Sequence, residues 1–226
     1  ELPGYRHVSD DGVRAEFEKD WGVGLLSEPG LRIPNMFEAA LDGEFMGLYI
    51  EGEDLAQSDP NTQHVTAALS AMECIVVQDL FLNETAKFAH VFLPGSTFLE
   101  KDGTFTNAER RISRVRKVMQ PKAGYADWEI TQLIAQAMGY PMNYSHPSEI
   151  MDEIARLTPT FAGVSYARLD ELGSIQWPCN AAAPEGTPVM HVDEFVRGKG
   201  RFFFFDDPAT TEKVNARFPL ILTTGR

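Results

Sequence analysis

The sequence has few cysteines, no long apolar run and an excess of acidic over basic residues. Its two cysteines, Cys74 and Cys179, form no closely spaced ligand motif and suggest no disulfide framework. No apolar stretch reaches the ~18 residues that cross a bilayer, and the N-terminus lacks the features of a signal peptide. The formal net charge of −13 argues against a nucleic-acid partner. We therefore expect a soluble, cytoplasmic protein that binds neither nucleic acid nor membrane.

Common catalytic motifs are also missing. The sequence contains no GxSxG elbow, no P-loop and no HExxH, and its five histidines show no metal-ligand spacing. Cys74 is expected to be a small buried residue, as free cysteines usually are. The residues alone therefore indicate a binding domain without an evident catalyst.

Composition and the two ends of the sequence indicate a piece of a globular protein. Apolar residues make up 43% and charged residues 23%, which is ordinary for a folded domain. The first residue is Glu1 rather than methionine, and 218–226 reads as a strand that stops on entering a loop. We interpret the chain as a fragment of a longer polypeptide.

Predicted helices and strands alternate from about residue 35. Leu48–Ile50, Cys74–Val77 and His90–Leu93 have strand character, and the residues between them favour helices, including a short one at Asn83–Ala89. Strands joined in this way indicate βαβ units in an α/β fold with an open parallel sheet.

Capping signals predict where two of these helices begin. Asn35 can cap the first, with Glu38 as its reciprocal partner. Ser58 or Asp59 can cap the second, with Pro60 at its first position. The apolar positions of the second helix predict its buried stripe, Val65, Leu69 and Met72.

The alternating pattern of helices and strands ends near Gly103. Thr104–Val118 favours an extended or hairpin segment, Asp127 begins a helix that ends at Gly139, and 147–156 favours another helix. One strand candidate, Phe202–Phe205, lies in an otherwise irregular stretch. The segments are 1–97 (α/β), 98–126 (extended or hairpin), 127–158 (helical), 159–215 (irregular) and 216–226 (a truncated final strand).

Polar residues at the ends of the predicted strands are the candidates for a binding site, because open parallel sheets bind ligands at their carboxyl edge. Gln78 and Asp79 directly follow a buried strand, and a carboxylate there can accept hydrogen bonds from guanine N1–H and N2–H. Alternatively, Asp79 caps the next turn. Asp54 and Ser58 follow an earlier strand and favour a phosphate, or are a loop residue and a helix cap.

Asp127 and a basic cluster each allow two interpretations. Asp127 occupies the predicted N-cap of a helix, and the same position suits a guanine or a ribose. The cluster either offsets pyrophosphate charge, with Arg110 the best candidate, or lies on a solvated strand. Its members are Arg110, Arg111, Arg114, Arg116 and Lys117.

Short segments along nearly the whole chain resemble the bis-pterin molybdenum or tungsten oxidoreductases, and most closely the large subunits of formate dehydrogenases. Thr223–Thr224 and Arg226 are similar to the start of that family's C-terminal β-barrel domain. The other matching segments are Leu2–Arg6, Trp21–Val23, Gly52–Asp54, Val77–Asp79, Thr85–Ala86, Leu93–Pro94, Gly103–Thr106, Asp127–Trp128, Met138–Met142 and Gln176–Cys179.

The resemblance implies a Rossmann-like fold for 1–97 and the start of a β-barrel domain at 216–226. It also implies a bis-molybdopterin guanine dinucleotide cofactor with Mo or W. Residues at matching positions hold the guanine-dinucleotide tails, and here they are Asp54, Ser58, Gln78, Asp79, Gly95, Asp127 and Arg226. The family's iron–sulfur cysteines, metal-ligating residue and catalytic histidine and arginine have no match in this chain.

The implied function is that of a fragment of a formate dehydrogenase catalytic subunit. The parent would oxidise formate to CO2 and pass two electrons to an iron–sulfur cluster. An electron-accepting flavin or NAD subunit, or another redox subunit, would then receive the electrons. The fragment alone is not expected to oxidise formate. The alternatives are another molybdopterin enzyme, such as a nitrate reductase, and an electron-transfer scaffold that has lost the pterin. Asp79 and Asp127 argue against the scaffold, which needs no guanine acceptors.

Overall fold

The computed structural model describes residues 1–195, 198–204 and 213–222. The chain divides into two compact units, Glu1–Pro188 and Val189–Arg226, and the first contains both β-sheets. Arg226 and Thr223–Thr224 lie outside the described residues. No helix within the described ranges is both long enough and apolar enough to cross a membrane.

A three-stranded parallel sheet carries the polar strand ends. Its strands are β1 (Gly47–Glu51), β2 (Cys74–Asp79) and β3 (Val91–Pro94), in the spatial order β1-β2-β3. The register pairs Glu51 with Gln78 and Asp79 with Pro94, so all three strands end at the same edge. The predicted open parallel sheet is confirmed, and the ends of its strands lie within two residues of the predicted ends.

Helices flank this sheet and bury the apolar residues Ile50, Ile75 and Val77. They are α1 (Asp11–Trp21), α2 (Ile33–Leu41), α3 (Leu55–Ser58), α4 (Thr62–Ala71) and a 3₁₀ turn at Thr85–Phe88. Val65, Leu69 and Met72 are buried, so the predicted stripe is confirmed. Together with Ile75 and Val77 of β2 they form the centre of the core.

A second, antiparallel sheet follows. Its strands are β4 (Gly103–Thr106), β5 (Arg111–Val115) and β6 (Ser174–Gln176), which confirms the hairpin expected within Thr104–Val118. The helices in this region are α5 (Asp127–Ala137), α6 (Pro147–Leu157) and α7 (Tyr166–Leu172). A separate core, which includes Ile112, Met151 and Leu169, holds this sheet against α6 and α7.

Two predicted helix starts are wrong. The N-cap of α2 is Arg32, and Asn35 lies inside the first turn. Ser58 ends α3, and α4 begins after Asn61, which has a φ of 62° and accepts a hydrogen bond from the His64 amide. The chain turns sharply between these helices because Asn61 adopts the left-handed conformation, which asparagine tolerates better than most residues.

Five further expectations are corrected. Ala126 is the N-cap of α5, so Asp127 is its first helical residue, and Asn83–Ala89 contains a 3₁₀ turn rather than an α-helix. Cys74 is exposed, since it lies on the face of β2 opposite to the buried Ile75 and Val77. The expected irregular stretch 159–215 contains α7 and β6. Phe202–Phe204 form no strand, and Phe205 lies outside the described residues.

Candidate functional site

A cleft of about 250 Å³ lies at the carboxyl edge of the parallel sheet. Four of the seven predicted site residues line it, namely Gln78, Asp79, Gly95 and Asp127. The strands explain this convergence, since β2 ends with Gln78 and Asp79 and β3 ends just before Gly95. The cleft is also lined by Glu51, Gly52, Leu80, Ser96 and Lys101.

Gln78 is the buried centre of this edge. Its side chain is 1% exposed. The amide Nε2 donates to Asp127 Oδ1 at 2.9 Å and to Glu51 Oε1 at 3.3 Å, while Oε1 accepts from the Tyr49 hydroxyl at 2.5 Å. Buried polar groups need such partners. Gln78 therefore fixes β1, β2 and the start of α5 relative to one another.

The Asp127 carboxylate accepts four hydrogen bonds. The donors are Gln78 Nε2, the Ser96 amide at 3.0 Å, the Ser96 hydroxyl at 3.0 Å and the Lys101 ammonium. Burial alone would raise the pKa of Asp127, but the hydrogen bonds from Lys101, Ser96 and Gln78 outweigh it and hold the pKa below its ordinary value. Asp127 is therefore ionised at neutral pH, and its bonds join α5 to the end of β3.

The Asp79 carboxylate accepts fewer hydrogen bonds than that of Asp127. Its Oδ1 accepts from the Leu80 amide at 2.6 Å, and its Oδ2 accepts from Asn83 Nδ2 at 2.8 Å. A carboxylate offers about four lone-pair sites, so these two bonds among the described residues leave about two sites available. Asp79 lines the cleft and can therefore accept hydrogen bonds from a ligand.

Position 95 favours glycine because atoms of Asp79 and Asp127 lie close to its Cα. Its amide donates to the Asp79 carbonyl at 2.9 Å. A Cβ at this position would lie 3.0 Å from Asp127 Oδ1 and 3.4 Å from the Asp79 carbonyl carbon. Any side chain here would crowd the two carboxylate-bearing residues, so glycine keeps the cleft open between them.

Sequence reasoning missed Glu51 and Lys101. Glu51 is the last residue of β1 and pairs in register with Gln78, so the rule that identified Gln78 applies to it as well. Burial in the cleft raises the pKa of the Glu51 carboxyl, and the charge of Asp127 raises it further. Lys101 follows β3 in a loop, and no pattern in the sequence marks its ion pair with Asp127.

Asp54 and Ser58 do not line the cleft. Asp54 Oδ1 accepts from the Thr85 amide at 2.9 Å and the Thr85 hydroxyl at 2.6 Å. Partial burial would raise the pKa of Asp54, but the bonds from Thr85 and Gln57 hold it below its ordinary value. Ser58 donates to Glu53 Oε1 at 3.0 Å. Their role towards a cofactor stays a prediction, as does that of Arg226, which is outside the described residues.

The basic cluster contacts the protein itself. Arg110 donates to the backbone carbonyls of Trp177, Thr187 and Pro188. Arg114 and Arg116 both pair with Asp170, at 3.0 and 2.7 Å. The solvated-strand interpretation is therefore incomplete, because these cations stabilise the second sheet and its neighbouring loops.

A larger cavity of about 540 Å³ adjoins the cleft. The two share Glu51, Lys101 and Asp127, which therefore form the wall between them. The rest of the lining is mainly aromatic and aliphatic, with Trp128 from α5 and Tyr166 from α7. The site thus combines a polar cleft with an apolar neighbour, as ligand sites commonly do.

Comparison with known proteins identifies the family. The model of the molybdopterin oxidoreductase family matches residues 14–137. A Staphylococcus haemolyticus protein named "Putative formate dehydrogenase" is 50% identical over 208 residues, which are 91% of this chain and 21% of that protein. A Staphylococcus aureus protein of the same name is 47% identical over 207 residues, 89% of this chain and 21% of the relative.

A solved structure shares the fold. Acetylene hydratase from Pelobacter acetylenicus matches 82% of this chain and 27% of its own, with a TM-score of 0.55 and 18% identity. This likeness concerns the fold alone. With the family match over more than half of its length, the chain belongs to the molybdopterin oxidoreductase family.

Proposed function

We propose that the cleft binds the guanine end of a molybdopterin guanine dinucleotide in the catalytic subunit of a formate dehydrogenase. Membership of the family implies a molybdopterin cofactor. The chain spans only 21% of the length of its staphylococcal relatives, so formate oxidation would be the activity of a longer polypeptide. The bis-guanine-dinucleotide form, the choice of Mo or W, and the iron–sulfur cluster are parts of the same proposal.

The observation that carries the proposal is the remaining acceptor capacity of Asp79 at the sheet edge. Guanine presents two adjacent donors, N1–H and N2–H, and a carboxylate can accept both. Asp79 has about two lone-pair sites left after its bonds to Leu80 and Asn83. Gly95 keeps the backbone beside it clear. The donor set of guanine therefore fits the acceptor set of this cleft.

This chain's share of the work would be binding and positioning. Asp79 would accept from the guanine edge, and Gln78 would hold Asp127 and Glu51 in place through its amide. The bound cofactor would supply two-electron redox chemistry at its metal. Formate and electron-accepting flavin or NAD subunits would be partners of the complete, cytoplasmic enzyme.

The test is the metal and nucleotide content of the complete polypeptide that carries this chain. We expect molybdenum or tungsten together with guanine nucleotide released on denaturation, and dye reduction that depends on formate. Asp79→Ala should lower both contents and change the melting temperature only slightly. Asp42→Ala, which removes an exposed carboxylate at the end of α2, is the matched control and should change neither.

Three results would contradict the proposal in different ways. Cofactor without formate-dependent dye reduction would indicate another enzyme of the family, such as a nitrate reductase. A folded polypeptide with neither metal nor guanine nucleotide would indicate a scaffold that has lost the pterin. Unchanged contents in Asp79→Ala would place the guanine elsewhere.

A further inference from the structure

Lys101 is the cation of the sheet-edge cleft. Among the described residues that line it, three are carboxylates, Glu51, Asp79 and Asp127, and Lys101 alone carries a positive charge. The Lys101 ammonium is paired with Asp127 Oδ2. An anionic ligand that enters would meet an excess of negative charge unless Lys101 turns towards it.

The backbone donors at this edge are already used. The Gly52 amide donates to the Gln78 carbonyl at 2.9 Å, and the Gly95 amide donates to the Asp79 carbonyl at the same distance. The Leu80 amide donates to Asp79 Oδ1, and the Ser96 amide donates to Asp127 Oδ1. A phosphate here would therefore have to recruit the ammonium of Lys101.

Lys101 is also the most replaceable of the four donors to Asp127. Gln78 is 1% exposed and Ser96 is 4% exposed, so both are fixed by their surroundings. The Lys101 side chain is 26% exposed and ends in a compact charge on a flexible stem. All four acceptor sites of the Asp127 carboxylate are occupied, so a ligand can donate to it only if one of the present donors leaves. Of these donors, Lys101 loses the least free energy on leaving, because its ammonium can be solvated by water.

We infer that Lys101 exchanges partners when a guanosine diphosphate group enters the cleft. Its ammonium leaves Asp127 and pairs with a phosphate oxygen. The lone pair on Asp127 Oδ2 that this vacates then accepts a hydrogen bond from an N–H or O–H group of the nucleoside. The diphosphate thus prepares a second acceptor for the nucleoside, in addition to Asp79. This inference rests on the proposed function, and it assigns Lys101 a binding role that goes beyond the predicted site residues.

The test compares two probes, guanosine diphosphate and guanosine, by calorimetric titration at fixed ionic strength of the complete, cofactor-free polypeptide that carries this chain. Wild type should bind the diphosphate more tightly than the nucleoside. Lys101→Gln should lower the affinity for guanosine diphosphate about tenfold or more, since a charge-assisted bond is lost. It should leave the affinity for guanosine unchanged or higher, because Asp127 gains a vacant lone pair.

Two further variants complete the test. Lys101→Arg keeps the charge and should retain most of the diphosphate affinity, which separates lost charge from lost fold. Lys87→Gln removes a charge from an exposed side chain that pairs with Glu84, and it should change neither affinity. Melting temperatures of the variants show whether each is folded.

Equal losses for both probes in Lys101→Gln would overturn the inference and leave the proposed function standing. Such a result would mean that Lys101 only orders Asp127. Diphosphate affinity unchanged in Lys101→Gln would also overturn it. If wild type binds neither probe, the proposed function and the inference fall together.

Discussion

At the scale of single residues, the two aspartates of the cleft differ in what their carboxylates already do. Asp127 accepts from Gln78, Ser96 and Lys101, whereas Asp79 accepts only one backbone and one side-chain donor among the described residues. Identical side chains at one sheet edge can therefore have different functions. The Asp127 carboxylate already joins α5 to the end of β3, and the Asp79 carboxylate has more acceptor capacity left for a ligand.

This difference predicts unequal costs of truncation. Asp127→Ala should lower the free energy of unfolding by about 1–3 kcal/mol, because the buried donors of Gln78 and Ser96 lose their acceptor. Asp79→Ala should cost less, because the Leu80 amide and the Asn83 amide group lie nearer to water. Urea unfolding of both variants measures the difference. Equal costs would contradict the distinction between the two carboxylates.

Glu51 should make stability depend on pH. Burial and Asp127 raise its pKa above the ordinary value of 4.5 in the folded protein. Just above pH 4.5, the folded state therefore binds more protons than the unfolded state. This contribution lowers the free energy of unfolding as the pH rises from about 4.5 through the raised pKa of Glu51. Glu51→Gln removes the effect while keeping an acceptor for Gln78.

The free energy of unfolding of Glu51→Gln should therefore match wild type at about pH 4 and exceed it at about pH 7. Denaturant titrations at both pH values measure the difference. A variant that is less stable than wild type at the higher pH would contradict the assigned cause, since it would show that the ionised carboxylate stabilises the cleft.

At the scale of elements, the strands were predictable and the helix caps were not. Runs of apolar residues marked β1, β2 and β3, as is typical of strands in parallel sheets. A cap depends on the backbone angles of a single residue. Asn61, not Ser58 or Asp59, has the angles that start α4, and no sequence pattern distinguishes these three cap formers.

Asp54 is expected to join two elements. Its carboxylate, at the start of α3, accepts from the amide and the hydroxyl of Thr85 in the 3₁₀ turn, and Thr85 is completely buried. Asp54→Ala should lower the free energy of unfolding by about 1–3 kcal/mol, since buried donors are left without an acceptor.

The control for this prediction is Asp152→Ala, which removes an exposed carboxylate from α6 and should leave stability unchanged or slightly raised. Thermal or urea unfolding of the two variants provides the comparison. If Asp54→Ala is as stable as the control, Asp54 has no structural role and its predicted contact with the cofactor gains support.

At the scale of the whole molecule, one rule predicted where the site lies, because polar residues at the carboxyl ends of parallel strands meet at one edge of the sheet. The rule did not predict every residue of the site. Polar strand ends predicted Gln78 and Asp79, and the fold brought Gly95 and Asp127 to the same cleft. Glu51 obeys the same rule and was overlooked. Lys101 reaches the cleft from a loop that no periodicity places, so only the structure reveals it.

The most direct test of the account is the order in which the complete, cofactor-free polypeptide that carries this chain binds three nucleotides that differ only at the base. The account predicts that guanosine diphosphate binds more tightly than inosine diphosphate, which lacks the 2-amino donor, and that adenosine diphosphate binds most weakly. A good pair of base contacts gives about 5- to 150-fold discrimination, and Asp79→Asn should abolish most of it. Equal affinity for all three in wild type would contradict guanine recognition by this cleft.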